Sequence, residues 1–450
     1  MDKLVALLKR RGFVYPGSEI YGGLANTWDY GPYGAQLKKN IIDAWWKRFV
    51  ESRSDMVGMD SAILMNPKVW EASGHVDNFT DPLVDCKKCK ERFRADHLAE
   101  EKGIEVSEVS KLPCPKCKGE LTEPRTFNLM FETHIGPISQ DAKPVYLRGE
   151  IAQGMFVNFK NVLDTMRVKL PFGIAQYGKA FRNEITAGNY LFRQVEFNLM
   201  EMEYFIAPPK DDSEWQEVFE KWLSDMKDWI RSLGIKEEEV YYHEIDADEL
   251  AHYSKRTIDI EYHYPFGLKE LYGLAYRTDF DLKRHMEASG VDLRVADSVT
   301  GEKVLPHVIE PTFGIDRTFL ATLLSAYKEE EAPTANPGEV DVRYVLSLPA
   351  HLAPVQIAIL PLSKKEPLQQ KADEIAKELR GKYRIEYDET GSIGKRYRRQ
   401  DEIGTPYCVT VDFETENDNA VTVRERDSMS QERVQLDNLK QWFEQKISSL

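Results

Sequence analysis

A pair of strand-like segments around a short turn constrains this fold more than any other feature of the sequence. Residues 177–184 and 192–205 have the pattern of strands, and the turn-rich stretch 186–189 separates them. The spacing predicts a long antiparallel hairpin. Because side chains alternate across a strand, Arg182 and Glu184 would lie on one face of it. The alternative is a solvent-exposed ladder of alternating charge.

The composition limits the classes of protein to which this chain can belong. A chain of 450 residues exceeds what one hydrophobic core usually serves, so two or three domains are predicted. With 42% hydrophobic and 30% charged residues and no apolar run near ~20 residues, the chain is expected to be globular, without membrane contact. The net charge of −15 argues against a general nucleic-acid coating protein and leaves room for local basic patches. Residues 1–10 have the pattern of an amphipathic helix and not of a signal peptide, so we expect a cytoplasmic protein.

Changes of pattern along the chain predict an α+β protein of several domains. The Lys- and Glu-rich segment 82–123 has the character of an insertion between 1–81 and 124–330. The acidic, then Pro- and Gly-rich stretch 331–340 lacks periodicity and is predicted to be a linker. In 341–450, strands and helices alternate, which predicts a small α/β domain with a mixed sheet. Further predicted elements are a helix ending near Trp46, helices near 151–163, 214–233 and 316–327, and strands over 256–282.

Four of the five cysteines form two Cys-x-x-Cys pairs, Cys86 with Cys89 and Cys114 with Cys117. Each pair places two thiolates on one tight turn, and two such pairs supply a closed tetrahedral Zn²⁺ site. Because no position is left for water, the zinc would be structural. The alternative is four reduced cysteines without metal. The fifth, Cys408, lies in an apolar run and is predicted to be a small buried hydrophobe.

Two short motifs resemble nucleotide-binding signatures without fitting them. The stretch 173–180 matches a phosphate loop except at Ala180, which has no hydroxyl for magnesium, and a strand pattern follows it. His134-Ile135-Gly136-Pro137 has proline where a class I synthetase signature has its second histidine. We interpret both as chance matches.

Around the predicted hairpin the sequence resembles class II aminoacyl-tRNA synthetases. Phe181-Arg182-Asn183-Glu184, followed by Arg193 and Phe197, is similar to motif 2 of that class. The resemblance implies that Arg182 binds the α-phosphate of ATP, that Arg193 reaches the terminal phosphates and that Phe197 stacks on adenine. A fixed guanidinium suits this chemistry, because attack of a carboxylate on the α-phosphorus builds negative charge.

A second match lies downstream, where Gly314-Ile315-Asp316-Arg317 opens an apolar helix and resembles motif 3 of the same class. The resemblance implies that Gly314 lets the backbone approach the nucleotide and that Arg317 holds the γ-phosphate. Glu270 and Glu184 would lie near the phosphates bound to Mg²⁺. The implied catalytic residues are Arg182, Glu184 and Arg317, and the implied ATP-binding residues are Arg182, Asn183, Glu184, Phe192, Arg193, Phe197, Glu270, Leu271, Gly314 and Arg317.

Further segments resemble glycyl-tRNA synthetases in particular. They are Ser18-Glu19-Ile20-Tyr21-Gly22-Gly23, Ala72-Ser73-Gly74-His75, Phe93-Arg94-Ala95-Asp96-His97 and Val308-Ile309-Glu310-Pro311. In that family carboxylates surround the amino group of glycine, and the matching residues are Glu150, Glu201 and Glu310. Arg94 matches the group that binds the glycine carboxylate, and Thr312 would lie in the same pocket. Glycine has no side chain, so its ammonium group is its best handle.

Four positions depart from the family pattern: Ile151, Val195, Tyr276 and Thr312. Ile151 and Val195 replace polar residues, so we expect an effect on affinity rather than on the type of reaction. Tyr276 stands where aspartate or histidine is usual. Thr312 replaces a serine and adds a methyl group, which would tighten the pocket.

The resemblance extends through 341–450 and implies an anticodon-binding domain like that of class IIa synthetases. There Lys395-Arg396-Tyr397-Arg398-Arg399 is basic and suits contact with phosphates or bases, with an exposed charged helix as the alternative. In that class a motif 1 element, here within 35–70 with Pro67 as its proline, forms a homodimer. The predicted activity is ATP-dependent formation of glycyl-adenylate and transfer of glycine to the 3′-terminal ribose of tRNA. A synthetase for threonine, proline or histidine, or a catalytically silent RNA-binding relative, remains the alternative.

Overall fold

The structure is a computed structural model that describes residues 1–136, 143–185, 188–296, 301–333 and 338–447. The α-helices are α1 (Asp2–Arg10), α2 (Pro32–Trp46), α3 (Pro67–Ala72), α4 (His75–Asn78), α5 (Ala95–Lys102), α6 (Ala152–Met166), α7 (Asp212–Ser232), α8 (Phe280–Ser289), α9 (Ile315–Ala326), α10 (Glu366–Arg380), α11 (Ile393–Ile403), α12 (Thr415–Asp418) and α13 (Leu436–Lys446). The strands are β1 (Val14–Pro16), β2 (Trp28–Tyr30), β3 (Met56–Gly58), β4 (Thr80–Asp85), β5 (Arg92–Arg94), β6 (Arg125–Asn128), β7 (Phe131–Ile135), β8 (Lys143–Leu147), β9 (Phe172–Phe181), β10 (Glu196–Ile206), β11 (Val240–Glu244), β12 (Arg256–Tyr264), β13 (Gly267–Thr278), β14 (Val295–Ala296), β15 (Lys303–Val304), β16 (His307–Gly314), β17 (Tyr327–Pro333), β18 (Val340–Leu346), β19 (Ile357–Pro361), β20 (Ile385–Tyr387), β21 (Tyr407–Val411), β22 (Ala420–Glu425) and β23 (Gln431–Gln435). No helix in these ranges is long and apolar enough to span a membrane.

A seven-stranded sheet forms the centre of the larger part of the chain. Its order is β11-β12-β13-β16-β10-β9-β3, and its neighbours are antiparallel except for β9 and β3. The predicted hairpin is present as β9 and β10, and the antiparallel sheet is confirmed. The stretch 173–180 lies inside β9, so it is a strand rather than a phosphate loop. The predicted strands over 256–282 are β12 and β13, but 280–282 instead begins α8.

The hairpin strands are shorter than predicted at the end that carries the motif. The N–H of Arg182 still donates to the carbonyl of Val195 at 3.0 Å, but the N–H of Asn183 donates at 2.8 Å to the carbonyl of Leu129. The chain has left the sheet at this point. The prediction that strand alternation orients Arg182 and Glu184 was therefore wrong, because both residues follow the end of β9.

The two faces of the sheet are filled differently. On β10, Met200, Met202 and Tyr204 belong to the main core, which also holds apolar residues of α2, α7 and α9. Glu201 and Phe205 point to the opposite face, because side chains alternate along a strand. There α6 and α8 cover the end near Phe205, and a cleft lined in part by Glu201 lies next to it.

The predicted insertion forms a small unit with a core of its own. Its strands have the order β5-β4-β6, and β4 and β6 extend just beyond the predicted limits of 82–123. Val84, Leu98 and Leu121 pack with Cys86 and Cys114 in a core apart from that of the large sheet. The four cysteines thus lie at the centre of this unit.

The C-terminal part contains the predicted mixed sheet, in the order β20-β19-β21-β22-β23. Its first three strands are parallel, while β22 and β23 are antiparallel to their neighbours. The helices α10 and α11 make the crossovers between the parallel strands, as expected of a βαβ arrangement. The strand β23 was not predicted.

The stretch predicted as a linker, 331–340, is in part a two-stranded ribbon. Its residues 331–333 belong to β17 and residue 340 begins β18, which pairs antiparallel with β17; residues 334–337 lie outside the described ranges. The ribbon is stabilised by an ion pair between Glu330 and the buried Arg343 at 3.1 Å. Glu330, next to the predicted linker, is therefore a cross-strand partner of Arg343.

The two parts of the chain pack against each other. Leu346, Leu348 and Leu352 belong to the core that holds α2 and α9. The side-chain amide of Asn40 on α2 donates to the carbonyl of Leu352 at 2.8 Å. Tyr33, at the start of the same helix, donates its hydroxyl hydrogen to the carboxylate of Glu386.

Candidate active site

A cleft on the open face of the large sheet brings the predicted motif residues together. All predicted ATP-binding residues except Asn183 line it. The lining residues are Arg182, Glu184, Leu191, Phe192, Arg193, Gln194, Phe197, Asn198, Leu199, Glu201, Glu270, Leu271, Tyr272, Thr312, Gly314, Asp316 and Arg317. The cleft thus combines cations, carboxylates and aromatic rings, a set suited to a charged nucleotide.

Arg317 lies at one wall of the cleft, in the first turn of α9. Its guanidinium stacks over the ring of Phe192 at 4.5 Å from the centroid. Its Nη1 lies 3.0 Å from Oε2 of Glu270. Arg317 lowers the pKa of this carboxyl, so Glu270 is ionised near neutral pH.

Asp316, which precedes Arg317, anchors this end of α9. It is buried and accepts hydrogen bonds from the backbone N–H of Asn198 at 2.7 Å and from that residue's side-chain amide at 3.1 Å. The hydroxyl of Tyr30 also donates to it. Asp316 therefore fixes the motif 3 helix to β10. The sequence did not identify this role for Asp316 or Asn198.

Arg182 lies between two aromatic rings. Its guanidinium carbon is 5.1 Å from the ring centroid of Phe79 and 5.2 Å from that of Phe197. Its Nε donates to the carbonyl of Gly149 at 3.0 Å. These contacts hold the guanidinium in one place, and its remaining N–H groups have no hydrogen-bond partner among the described residues. Phe79 was not among the predicted residues.

Glu184 and Arg193 face each other near the two ends of the loop that joins β9 to β10. Nε of Arg193 lies 3.9 Å from Oε2 of Glu184. That oxygen is buried and has no hydrogen-bond partner among the described residues. A buried carboxylate oxygen without a partner favours a site that is completed by a ligand.

The three carboxylates predicted to bind the ammonium group of glycine form one electrostatic cluster next to the cleft. Glu201 lines the cleft, and burial, followed by the charges of Glu310 and Glu150, raises its pKa well above the usual value. The backbone N–H of Ile151 donates to Oε2 of Glu201 at 3.2 Å. Ile151 therefore contributes to the position of Glu201 through its backbone N–H and not through its side chain.

Glu150 is held in its ionised form by a histidine. Nε2 of His75 lies 3.2 Å from Oε2 of Glu150, and the side-chain amide of Gln153 donates to the other oxygen at 2.9 Å. Burial opposes ionisation, but His75, Arg277 and Gln153 together outweigh it and lower the pKa of Glu150. His75 belongs to a segment that matched the family, although the sequence gave it no role.

Arg277 is the cation of this cluster, and the sequence did not identify it. Its Nη1 lies 2.9 Å from Oε2 of Glu310, and its Nε lies 2.8 Å from Oδ2 of Asp281. Arg277, Glu310 and Asp281 are all buried. The ring of Tyr253 covers the guanidinium, with its centroid 3.9 Å away. Arg277 is invisible to a motif search because its partners lie on other elements.

The positions that depart from the family pattern have different surroundings. Thr312 lines the cleft, opposite Glu201 in the register of β16 with β10. Tyr276 belongs to the main core on the other face of the sheet, where it stacks on Trp215 with ring centroids 4.4 Å apart. Tyr276 therefore does not reach the cleft. Val195 contributes to the site through its backbone carbonyl, which accepts a hydrogen bond from the N–H of Arg182.

Arg94 lies outside the residues that line the cleft. Its Nη1 lies 2.8 Å from Oδ2 of Asp81, and its Nη2 pairs with Asp96. Both carboxylates already satisfy its guanidinium. The geometry therefore gives no support to Arg94 as the group that binds the glycine carboxylate.

The four cysteines converge as the sequence predicted. The sulfurs of Cys86 and Cys117 are 3.4 Å apart and those of Cys89 and Cys114 are 3.7 Å apart, with all four within 4.8 Å. In a tetrahedral zinc site with Zn–S bonds of about 2.3 Å, neighbouring sulfurs would lie about 3.8 Å apart. The arrangement fits one Zn²⁺ ion held by four thiolates.

The basic segment of the C-terminal helix α11 is less available than predicted. Arg396 is buried and donates to the carbonyl of Pro361 at 2.6 Å. The hydroxyl of Tyr397 lies 2.6 Å from that of Thr410, and Arg399 is paired with Asp388. These three side chains make contacts within the domain, and contact of the segment with RNA stays a prediction. Of the five residues, Lys395 is exposed and Arg398 is half-buried.

The fold and the cleft correspond to one class of enzyme, the class II aminoacyl-tRNA synthetases. Residues 137–327 match a family described as "tRNA synthetase class II core domain (G, H, P, S and T)", and residues 356–446 match one described as "Anticodon binding domain". The chain belongs to the glycine–tRNA ligase family.

Relatives with that name cover nearly the whole chain. A glycine–tRNA ligase of Caldanaerobacter subterraneus is 53% identical over 99% of this chain and 98% of its own length. A glycine–tRNA ligase of Geobacillus kaustophilus is 54% identical over 100% of this chain and 99% of its own length. One of Thermobifida fusca is 49% identical over 100% of this chain and 98% of its own length. A prolyl-tRNA synthetase structure from Cryptosporidium parvum matches 99% of this chain and 76% of its own with a TM-score of 0.65 and 14% identity, which supports the fold alone.

Proposed function

We propose that this chain attaches glycine to its tRNA in two steps. Glycine and ATP first form glycyl-adenylate and pyrophosphate, and the glycyl group then passes to the 3′-terminal ribose of tRNA. The observation that carries this proposal is the 53% identity over 99% of the chain to a glycine–tRNA ligase. The cleft supports it, because cations and carboxylates of both motifs line it.

The residues of the cleft suggest how the first step is promoted. The carboxylate of glycine attacks the α-phosphorus of ATP, and Arg182 stabilises the charge that builds on the α-phosphate. Arg193 and Arg317 hold the terminal phosphates, and Phe197 packs on adenine. Bound substrates are thereby aligned without any side chain acting as a nucleophile.

Magnesium is implied by the use of ATP, and the cleft offers donors that suit it. Glu270 is ionised and Glu184 has an unpartnered buried oxygen, and Mg²⁺ prefers carboxylate oxygens and phosphate oxygens. When bound, the ion neutralises phosphate charge and makes pyrophosphate a better leaving group. We assign Glu270 and Glu184 to this role.

Glycine would be recognised by its ammonium group. Glu150, Glu201 and Glu310 present carboxylates to it, and Thr312 limits the space beside it. Since Arg94 is already paired with Asp81 and Asp96, its predicted role at the glycine carboxylate is the part of the proposal with least support.

The other predicted partners follow from the same assignment. The zinc bound by the four cysteines would be structural, because four thiolates leave no position for water. The C-terminal sheet and its helices would bind the anticodon arm of a glycine tRNA. We expect the protein to work in the cytoplasm, where translation needs its product.

We also propose a homodimer through the edge of the large sheet at β3. Beside this edge Trp46 and Tyr177 meet edge to face at 5.7 Å between centroids, and Tyr177 is 45% exposed. Tyr177→Asp should convert the dimer to a monomer in light-scattering measurements, because it buries a charge in the interface. The matched control is Tyr241→Asp, since Tyr241 is 53% exposed and lies on the opposite edge strand β11. A monomeric wild type, or a dimeric Tyr177→Asp variant, contradicts this interface.

The catalytic proposal is tested by pyrophosphate exchange with glycine, alanine and threonine, followed by aminoacylation of unfractionated tRNA. Only glycine should support both reactions. Arg182→Ala should lower glycine-dependent exchange by at least about 10²–10³-fold, because it removes the fixed charge at the α-phosphate. Arg433→Ala removes an equivalent charge from an ion pair with Asp412 in the C-terminal domain and should leave exchange unchanged. Exchange by Arg182→Ala near the wild-type rate would refute the role of this residue.

A further inference from the structure

A further acidic side chain lies behind the carboxylates assigned to glycine. Glu203 is on β10, two residues after Glu201, and therefore on the same face of the sheet. The register pairs Glu201 with Thr312 and Tyr204 with Ile309, which places Glu203 directly opposite Glu310. Glu203 is 0% exposed, and neither of its carboxylate oxygens has a hydrogen-bond partner among the described residues.

The charged groups around Glu203 are mostly acidic. Glu201 on its own strand, Glu310 on β16 and Asp281 on α8 add negative charge, and its neighbour in the register of β9 is the apolar Ile174. The cation near it, Arg277, is already paired with Glu310 and Asp281. Burial, and then the charge of Glu310, raises the pKa of Glu203 well above its usual value.

A buried carboxyl in these surroundings needs either a metal ion or a proton. Across the described residues, the four cysteines are the one group of three or more potential ligands whose donor atoms lie within 4.8 Å of one another. The glutamates therefore do not converge on a common metal. A proton needs one carboxylate oxygen only, so it is the simpler neutralising species.

We propose that Glu203 is a positioning residue that carries a proton in the free enzyme and releases it when the ammonium group of glycine enters the cluster. The O–H bond of the Glu203 carboxyl breaks, the electron pair stays on the carboxylate and solvent water takes the proton. The new negative charge acts through Glu310, which it faces across the two strands. This inference rests on the proposed function, since it assumes that Glu150, Glu201 and Glu310 receive glycine.

The consequence is a pH-dependent affinity for glycine. The ammonium group favours the ionised form of Glu203, so a proton is bound in the free enzyme and absent from the complex over a range of pH. Within that range the apparent affinity rises with pH, by up to about tenfold per pH unit for one released proton. Glycine keeps its own ammonium proton at neutral pH, so this change comes from the protein.

The test is the KM for glycine in pyrophosphate exchange between about pH 5.5 and 8.5, compared for wild type, Glu203→Gln, Glu203→Asp and Glu287→Gln. Glutamine mimics the protonated form. Glu203→Gln should match wild type at the acid end, bind glycine more weakly at the alkaline end and show a flatter profile, with kcat and the KM for ATP unchanged. Glu203→Asp should restore the slope. Glu287→Gln removes one charge from the exposed surface of α8 and should behave as wild type.

Calorimetry makes the test independent of the variants. Glycine binding to the wild type should release close to one proton at neutral pH, read from heats measured in buffers of different ionisation enthalpy. Release of no proton, or an unchanged slope in Glu203→Gln, overturns the inference. A wild type that shows no glycine-dependent exchange at any pH would instead contradict the proposed function.

Discussion

At the scale of single residues, Gly273 leaves open space at the cleft because glycine has no side chain. Gly273 on β13 lies opposite Thr312 in the register with β16, and residues directly opposite each other share a face of the sheet. A Cβ at this position would meet no atom within 4 Å. The space beside Gly273 is thus on the face of the cleft and not in the packed core.

Gly273→Ala should therefore leave folding intact and impair binding. The backbone needs no left-handed conformation here, so alanine would keep or slightly raise stability, by about 0.4–1 kcal/mol. Its methyl group should raise the KM for glycine or ATP at least about tenfold, which is about 1.4 kcal/mol. Gly394→Ala, at another position where a Cβ meets nothing, is the control and should leave exchange unchanged. A KM equal to that of wild type would show that the space beside Gly273 is not used by a substrate.

The sequence predicted residues whose roles are written into contiguous motifs and missed those whose roles depend on register. The residues of motifs 2 and 3 are short runs, and they line the cleft. Arg277 and Glu203 look like ordinary alternating strand residues, because their significance depends on which strand lies opposite. Arg94 is the opposite case. It lies in a segment that matches the family, but its guanidinium forms ion pairs with Asp81 and Asp96. Burial and pairing of charges cannot be read from a motif.

At the scale of elements, periodicity located the strands and helices but not their surroundings. Residues 393–403 form α11, one of the helices that alternate with strands in 341–450 as predicted. The pattern could not show that Arg396 turns inward to backbone carbonyls, because an amphipathic arginine fits a polar face and a buried one equally well. The end of β9 was misplaced and β17 was not predicted, because tertiary hydrogen bonds and cross-strand ion pairs decide where strands form and stop.

The small unit around the four cysteines supports the active site through two contacts. Phe79, just before β4, packs on Arg182, and the carbonyl of Leu129, just after β6, accepts the N–H of Asn183. Both residues flank the small sheet that surrounds the four cysteines. The order of this unit therefore affects the position of Arg182.

Removal of the metal should lower activity without unfolding the rest of the chain. Metal analysis should give close to one zinc per chain. Cys89→Ser should lower the zinc content, increase hydrogen exchange in 80–128 and reduce kcat for exchange, because closed zinc sites supply much of the folding energy of such small units. Cys408→Ser, at a cysteine outside the cluster, is the control for zinc content. A zinc-free wild type with full activity would contradict the assignment.

At the scale of the whole molecule, the boundary between the two parts lies between their apolar cores and not at the Pro- and Gly-rich stretch that composition indicated. Leu346 at the end of β18, and Leu348 and Leu352 after it, pack into the core of the large sheet. The ribbon of β17 and β18 also contacts the C-terminal part, through the buried ion pair of Arg343 with Asp401 on α11 at 2.8 Å. The core of the C-terminal sheet begins with Ile357. The two parts also make polar contacts, as between Tyr33 and Glu386. Each side therefore has its own apolar core, and we expect the least costly division near residue 354.

Two truncations test this expectation. A chain of residues 1–354 keeps Leu346, Leu348 and Leu352, whereas a chain of residues 1–340 exposes the core that they cover, at about 1.5–3 kcal/mol for each leucine. The longer fragment should be folded and retain glycine-dependent pyrophosphate exchange, but it should lose most aminoacylation because the C-terminal domain no longer binds tRNA. The shorter one should melt at a lower temperature or aggregate, because β17 has also lost its partner strand. Equal thermal stability of the two fragments would place the division at the stretch that composition alone suggested, before β18.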